Sequence, residues 1–209
     1  MAKILGFSGT AIKSGTIEKA MEHVLRSSEA EYEMIRLSEL DIKPCMGCLE
    51  CAKDNRCIQK DDMNQLLDKI LEAEALVFSG FPTFGTLNAL TKTFLERLYP
   101  VRHKVMLTKG KIGAAIAGGI INNDAIEKDL CGYFGWLEME CAGSIKIDGN
   151  VPCLSCGYGE TCDQSVAAMM YGKGTKITPE LFYRFENDEE TKEKATELGR
   201  KLGDAIRNK

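Results

Sequence analysis

The sequence contains no long apolar run, no excess of positive charge and only two histidines. A membrane-spanning helix needs roughly 20 consecutive apolar residues, and the first apolar stretch is broken at Gly6, before it reaches the length of a signal-peptide core. We therefore expect a cytoplasmic protein with no membrane segment. With 27 Lys and Arg against 31 Asp and Glu, the net charge is −4, which argues against a nucleic-acid partner. Neither histidine lies in a sequence arrangement that indicates acid–base catalysis.

Short apolar runs alternate along the chain with segments whose apolar residues recur at helical spacing. The runs predict five strands, at residues 3–7, 31–37, 75–79, 112–117 and 139–147. Strands that alternate with helices form a parallel sheet covered on both faces. The sequence therefore predicts a single α/β domain over residues 1–209, a doubly wound three-layer sandwich with a five-stranded parallel sheet. In such sheets, ligands bind beyond the carboxyl ends of the strands.

A hydroxyl-rich loop at residues 8–16 joins the first strand to the first helix. Backbone N–H groups at a helix N-terminus, together with Ser and Thr hydroxyls, bind phosphate. The loop lacks both the Walker ending and the Gly-x-Gly-x-x-Gly pattern, so it favours a monophosphate ester over a nucleoside triphosphate. The alternative is an ordinary loop in which Ser or Thr caps the helix. The candidate phosphate contacts are Ser8, Thr10, Lys13, Ser14, Gly15 and Thr16.

Nine cysteines in a chain without an export signal indicate metal or redox chemistry rather than disulfides. Four of them, Cys45, Cys48, Cys51 and Cys57, fall within 13 residues, in a segment at 44–60 that follows the second strand. Thiolates at such short spacing hold an iron–sulfur cluster or zinc. Three cysteines at consecutive two-residue gaps favour a [4Fe–4S] cluster, because zinc sites more often combine two separated Cys-x2-Cys pairs. Unliganded thiols are the third alternative.

A second cysteine group lies in a Gly- and Cys-rich insertion near the C-terminus, at residues 150–175. Its members are Cys153, Cys156 and Cys162. Three alternatives stay open for this group: a second metal or cluster site, a redox-active Cys-x2-Cys pair, and a flexible loop with buried thiols. Cys131 and Cys141 stand alone in the sequence, and each is expected to be a small buried hydrophobic residue.

Two further loops follow predicted strands and contain residues suited to a flat ring system. Aromatic side chains offer stacking area, and glycine allows backbone N–H groups to approach a ring closely, although both residue types also mark plain loops. These candidates are Pro82, Thr83, Phe84, Gly85 and Thr86 after the third strand, with Gly118 and Gly119 after the fourth.

Together these residues resemble the iron–sulfur flavoproteins, a branch of the NAD(P)H-dependent FMN reductase family with a flavodoxin-like fold. The resemblance covers nearly the whole chain and is most specific at the compact cysteine motif. It implies that the loop at 8–16 binds the FMN phosphate, that the segments at 82–86 and 118–119 hold the isoalloxazine, and that the four cysteines at 45–57 ligate one [4Fe–4S] cluster. It also implies a homodimer or homotetramer. The second cysteine group is not part of the family pattern.

The function implied is that of an electron-transfer oxidoreductase. We expect electrons to pass from a ferredoxin-like donor to a small acceptor such as oxygen, peroxide or a quinone. One alternative is an NAD(P)H-dependent flavin or quinone reductase whose four cysteines hold structural zinc. Another is a non-enzymatic redox sensor or metal-binding module, which would bind metal but show no turnover.

Overall fold

The computed structural model describes residues 3–209, which form an α/β sandwich. Its strands are β1 (Ile4–Ser8), β2 (Tyr32–Arg36), β3 (Ala75–Gly80), β4 (Pro82–Thr83), β5 (Thr86–Leu87), β6 (Ile112–Gly118) and β7 (Glu140–Ile147). Its α-helices are α1 (Thr16–Ser27), α2 (Met63–Glu72), α3 (Ala89–Glu96), α4 (Pro100–His103), α5 (Asn123–Trp136), α6 (Val166–Tyr171) and α7 (Glu189–Arg207). In this part of the chain, no helix is both long and apolar enough to cross a bilayer.

Five of the strands form one parallel sheet in the order β2-β1-β3-β6-β7. β1 and β3 are buried along their whole length, as expected for central parallel strands covered on both faces. The chain winds outward from β1 to β2 and then reverses to β3, so the sheet is doubly wound and its switch point lies between β1 and β3. The predicted fold class is confirmed.

The two faces of the sheet bury separate apolar cores. One core lies under α2, α3 and α5 and contains a cluster of phenylalanine rings. Phe7 stacks on Phe94 with ring centroids 4.5 Å apart, and Phe78 stacks on Phe134 at 5.1 Å. Such pairs contribute about 0.5–1.5 kcal/mol beyond the burial of their area. The second core lies under α1 and α7.

α7 packs unusually closely on α1, through two glycines one turn apart. A Cβ atom on Gly199 would lie 2.3 Å from the carbonyl oxygen of Val24, and one on Gly203 would lie 2.1 Å from that of Ser28. Any side chain at these positions would force the two helices apart. The C-terminal helix thus covers the α1 face of the sheet.

Two local differences from the sequence-based expectation concern the segments that carry candidate site residues. The segment at 82–86, expected as a loop, forms a two-stranded antiparallel hairpin of β4 and β5. Its turn residues Phe84 and Gly85 have φ angles of 50° and 80°, as a tight hairpin turn requires. The insertion at 150–175 is not a featureless excursion, since it contains α6 and a small core of its own around Val151, Leu154 and Ala167.

Candidate functional site

The first helix begins without a side-chain cap. α1 starts at Thr16, its N-cap is Gly15, and no side chain accepts a hydrogen bond from its first turn. The alternative in which Ser or Thr caps this helix is therefore wrong. The N–H groups of a first helical turn lack intrahelical partners and carry the positive end of the helix dipole. This end of α1 is chemically suited to an anion such as a phosphate monoester.

A buried carboxylate supports the loop that precedes α1. Glu18 accepts hydrogen bonds from the Ser8 hydroxyl at 3.1 Å and from the backbone N–H of Ser14 at 2.8 Å. Arg36 on β2 donates to the same carboxylate through Nε at 2.8 Å. Burial alone would raise the pKa of Glu18, but the hydrogen bonds from Arg36, Ser14 and Ser8 outweigh it and lower the pKa. The side chain of Ser8 thus lies beneath the loop and already donates to Glu18.

The remaining candidates in this loop have different surroundings. The Thr10 hydroxyl accepts the backbone N–H of Ile12 at 3.1 Å, which tightens the turn. Lys13 is exposed and pairs with Glu39 at 2.6 Å. Thr16 is the first residue of α1. Glu18 and Arg36 are not recognisable from the sequence, because an acidic residue in a first helical turn is commonplace and its partner lies on a separate strand.

A buried hydrogen-bond network joins this loop to the end of β3. The backbone N–H of Gly9 donates to Ser79 Oγ at 3.1 Å, and Asn88 Nδ2 donates to the Gly9 carbonyl at 2.8 Å. Asn88 Oδ1 in turn accepts the backbone N–H of Phe81 and the hydroxyl of Thr91. A Cβ atom on Gly9 would lie 1.9 Å from Thr91 Oγ1, so this position has room for glycine only. The network fixes the two loops relative to each other.

The hairpin of β4 and β5 meets the loop after β6 at Gly119. This glycine has a φ of 154°, and a Cβ atom on it would lie 2.6 Å from Pro82 Cδ and 2.7 Å from Asn123 Oδ1. Asn123 Nδ2 donates to the carbonyl oxygens of Gly119 at 2.6 Å and Ile147 at 3.2 Å. Its Oδ1 is buried and has no hydrogen-bond partner. Phe84, at the hairpin tip, is fully exposed.

The structure therefore brings the candidate flavin-binding segments to one edge of the sheet. The loops at 8–16, 82–86 and 118–119 follow β1, β3 and β6, which are adjacent in the sheet. The residues fit a phosphorylated flavin in two respects. The uncapped start of α1 suits the phosphate. The unpartnered Asn123 Oδ1 offers an acceptor for an N–H group of the flavin ring. Next to it, the backbone at Gly119 has no room for a side chain.

The four clustered cysteines line a single cavity of about 190 Å³. Its lining includes Cys45, Cys48, Cys51 and Cys57 together with Arg97 and Tyr99. Within residues 3–209, no three Cys, His, Asp or Glu side chains are close enough together to hold a single metal ion. Tetrahedral zinc with Zn–S bonds of about 2.3 Å needs its sulfurs about 3.8 Å apart. The four thiols share one cavity, and thiolates at this spacing ligate an iron–sulfur cluster or zinc.

An arginine and a histidine approach these thiols from the protein side. Arg97 is 1% exposed, and its guanidinium donates to Cys57 Sγ at 3.4 Å, to the Lys43 carbonyl at 2.7 Å and to Asp61 at 2.9 Å. Its Nε is buried without a partner. Cys51 Sγ lies 3.1 Å from His103 Nδ1. A buried cation with a free donor suits anionic thiolates and the sulfides of a cluster.

Arg97 and Asp61 anchor the cysteine loop to α3. Asp61 also accepts the backbone N–H groups of Lys43 at 3.0 Å and Met63 at 3.2 Å. Burial alone would raise the pKa of Asp61, but the hydrogen bonds from Arg97 and from these backbone groups lower it. Neither residue is recognisable from the sequence, because each looks like an ordinary charged residue at one end of a helix.

A cavity of about 740 Å³ lies beside the cysteine loop and not at the candidate flavin loops. It is bounded by α3, α4 and α5 and shares Cys45 and Gly47 with the cysteine loop. Arg102 stacks over the Trp136 ring at 5.3 Å on its wall. None of the residues expected to contact FMN lines this cavity. No sequence pattern marks it, since its lining comes from widely separated helices.

The second cysteine group has thiols that accept hydrogen bonds from the backbone. The N–H of Tyr158 donates to Cys156 Sγ at 3.4 Å, and that of Gln164 donates to Cys162 Sγ at 3.3 Å. The pKa of the Cys153 thiol is lowered, chiefly by the backbone N–H of Ala167. Cys153 is buried and the other two are exposed, so the flexible-loop alternative with buried thiols is wrong for those two.

Cys131 and Cys141 do not match the expectation of isolated buried residues. Cys141 is exposed and Cys131 is only partly buried. Their side chains, one on α5 and the other on β7, are near enough that each shifts the pKa of the other, down for Cys141 and up for Cys131. The two cysteines are ten residues apart in sequence but are neighbours in the fold.

Comparisons with known proteins identify the family and the fold of this chain. The sequence profile of the NADPH-dependent FMN reductase family matches residues 2–152. An iron–sulfur flavoprotein from Archaeoglobus fulgidus is 26% identical over 99% of this chain and 81% of its own length. An iron–sulfur flavoprotein from Methanosarcina thermophila is 27% identical over 71% of this chain and 78% of its own length. A flavodoxin from the domain Archaea superposes with a TM-score of 0.53 and 15% identity over 99% of each chain, which confirms a flavodoxin-like fold.

Proposed function

From the premise that this chain belongs to the NADPH-dependent FMN reductase family, we propose that it is an iron–sulfur electron-transfer protein. It is an FMN-dependent oxidoreductase, and it is similar to iron–sulfur flavoproteins over nearly its full length. In the proposed function, it passes electrons from a ferredoxin-like donor to a small acceptor such as oxygen, peroxide or a quinone. FMN exchanges one or two electrons, whereas a [4Fe–4S] cluster exchanges one electron at a time. Together, the two groups would link one-electron carriers to two-electron reactions.

The observation that carries the proposal is the set of four thiols around one cavity, with a buried arginine on its wall. Cys45, Cys48, Cys51 and Cys57 would hold the [4Fe–4S] cluster. Arg97 would offset the negative charge of the thiolates, since its guanidinium already donates to Cys57 and has one donor to spare. Cys45 and Cys48, two of the lining residues, are exposed, which supports access by an external protein donor.

The residues proposed to hold FMN form two groups, one for the phosphate and one for the isoalloxazine ring. The first turn of α1 and the hydroxyls of Thr10, Ser14 and Thr16 would bind the phosphate, while Lys13 adds a positive charge at the rim. The segments at 82–86 and 118–119 would contact the isoalloxazine. Ser8 would act through Glu18 by holding the loop in shape.

The first test is the composition of protein purified without oxygen. Iron, sulfide, zinc and released FMN are assayed per chain, and Cys48→Ser is compared with Cys131→Ser as a matched cysteine control. We expect four irons and one FMN in the unaltered protein, loss of iron but not FMN in Cys48→Ser, and no change in the control. About eight irons would assign a second cluster to the group Cys153, Cys156 and Cys162. Metal without flavin would contradict the proposal and favour a non-enzymatic metal-binding module.

The family description favours one further candidate, a reductase that takes its electrons from NADPH. The two candidates differ in what Cys48→Ser does to flavin reduction. If electrons enter through the cluster, reduction of bound FMN by reduced ferredoxin should collapse in this variant. If NADPH is the donor, FMN reduction by NADPH should be fast in both proteins. Flavin with zinc and no iron would establish the second candidate.

The proposed assembly is a homodimer or homotetramer. Exposed Tyr99 and Trp136 beside the large cavity provide apolar area for an interface. Light scattering of the FMN-loaded protein measures the mass directly, and a monomer would contradict this part of the proposal.

A further inference from the structure

The register of the sheet turns the thiol of Cys141 toward α5. Cys141 on β7 pairs with Gly113 on β6, and a Cβ atom on Gly113 would lie 2.4 Å from the Phe134 ring of α5. Paired residues of neighbouring strands face the same side of a sheet. A register shift follows at once, because Ala114 pairs with Gly143 and leaves Ala142 without a partner. Without this bulge, Cys141 would face the opposite side together with Ile145.

Contacts along α5 place Cys131 directly across from this thiol. Ser144 on β7 donates to Glu127 on α5 at 2.6 Å, which fixes how the helix lies over the strand. Further along the strand, Lys146 pairs with Asp124 at 2.6 Å, so α5 and β7 run in opposite directions. Cys131 lies one turn, about 6 Å, beyond Glu127. Cys141 lies two register positions, about 6.6 Å, before Ser144 on the same face.

The two thiols are neighbours by this placement, and their interaction makes them chemically unequal. The neighbouring Cys131 thiol lowers the pKa of Cys141 to about 6, against the effect of its partial burial. The Cys141 side chain, followed by burial and by the nearby Glu127 carboxylate, raises the pKa of Cys131 well above its usual range. Cys141 is also the exposed member, on the outermost strand of the sheet. An accessible thiolate with a protonated thiol beside it is the arrangement of an attacking and a resolving cysteine.

We propose that Cys131 and Cys141 form a redox-active dithiol that a hydroperoxide oxidises to a disulfide joining α5 to β7. The Cys141 thiolate attacks the terminal peroxide oxygen, the O–O bond breaks, and the alkoxide leaves with one proton as an alcohol. The resulting Cys141 sulfenic acid condenses with the Cys131 thiol, which forms the S–S bond and releases water. Two thiols and one hydroperoxide give one disulfide, one alcohol and one water. A small dithiol reductant restores the thiols by exchange.

This site is separate from the proposed cofactor sites. Cys141 is the second residue of β7, at the amino end of the strands, whereas the candidate flavin segments follow the carboxyl ends. Neither cysteine lines the cavity that holds the four clustered thiols. The pair can therefore be oxidised or reduced without a ligand exchange at the cluster.

The test is peptide mapping of the anaerobically purified holoprotein after one equivalent of cumene hydroperoxide. Trypsin leaves both cysteines in one peptide, and a glutamate-specific protease separates them at Glu138 and Glu140. We expect these two fragments to stay joined, with the loss of two hydrogen atoms, until dithiothreitol is added. Iron and FMN per chain should be unchanged. Fragments that separate without reduction, while other cysteines are oxidised, would overturn the proposal.

Single variants distinguish a reactive pair from two thiols that merely touch. In Cys131→Ser, the sulfenic acid at Cys141 should persist and be trapped by dimedone, and in Cys141→Ser the thiol at position 131 should stay unmodified. Alkylation of Cys141 by iodoacetamide should be half-maximal near pH 6 in the unaltered protein and shift upward in Cys131→Ser. An unshifted alkylation profile in that variant would contradict the role of Cys131.

Discussion

Replacement of Arg97 by methionine removes the buried cation that joins the cysteine loop to α3. Methionine has a similar length and no charge, so the change deletes the ion pair while leaving much of the volume filled. Asp61, whose side chain is fully buried, would then keep its charge with only the backbone N–H groups of Lys43 and Met63 as donors. The Lys43 carbonyl and Cys57 Sγ would lose a donor as well.

The size of the effect follows from these lost contacts. Removing one partner of a buried ion pair costs about 3–5 kcal/mol, because the other charge remains buried and unpaired. The two backbone donors that Asp61 retains argue for the lower end, about 3 kcal/mol. For a chain of this length, each kcal/mol lowers the melting temperature by about 2–4 °C. We therefore expect Arg97→Met to lower the melting temperature by about 6–12 °C.

The assay is thermal unfolding of the metal-free protein, followed by circular dichroism, so that loss of a cluster does not contribute. Glu190→Gln is the matched control, since it breaks the exposed Lys194–Glu190 pair and should leave the melting temperature unchanged. The double variant Asp61→Asn/Arg97→Met should recover part of the stability, because no unpaired charge is left. A fall of less than about 2 °C in Arg97→Met, or no recovery in the double variant, would refute the reasoning.

Two further predictions concern the loop that precedes α1. Gly9→Ala should lower the melting temperature by about 10 °C and weaken FMN binding, because the new methyl group would lie 1.9 Å from Thr91 Oγ1 and 2.3 Å from the Ser79 carbonyl. Unfolding and FMN titration measure both effects, and normal values would show that the loop has room to move. Glu18→Gln should lower the melting temperature by roughly 5 °C at pH 7, since it breaks the pair with Arg36. The pKa of Glu18 is lowered in the folded protein, so its ionised carboxylate stabilises the fold at pH values above its unfolded pKa of about 4.3. This stabilisation is lost as the pH falls through the folded pKa. The melting temperatures of Glu18→Gln and the unaltered protein should therefore converge in acid.

The sequence predicted the strands well because each is a short apolar run with its own local pattern. All five predicted sheet strands begin within one residue of their observed starts, as β3 does at Ala75. The hairpin of β4 and β5 was missed because its turn is Phe84-Gly85, which lacks the Asn-Gly or Asp-Gly pair that marks such turns. A non-glycine residue at positive φ has little signature in sequence.

The candidate site was predicted where its chemistry is local in sequence. The four cysteines at 45–57 lie in one loop, so their spacing already indicated a shared ligand. Arg97 could not be found in this way, because it comes from a helix 40 residues after Cys57 and meets it only through the fold. The pairing of Cys131 with Cys141 depends on a one-residue bulge in β7, and a shift of one residue in a strand reverses the face of every side chain before it.

The glycine contacts between α1 and α7 affect the order in which the protein can fold during its synthesis. One face of the sheet lacks part of its cover until residues 189–207 have been synthesised, because α7 covers it together with α1 and supplies Ala195, Leu198, Leu202 and Ile206 to its core. At 5–20 residues per second, synthesis of the chain takes roughly 10–40 s. For most of that time, the surface of α1 that meets Gly199 and Gly203 lacks its native partner. The core under α1 and α7 can therefore close only after residue 206 has been synthesised, later than the core under α2, α3 and α5.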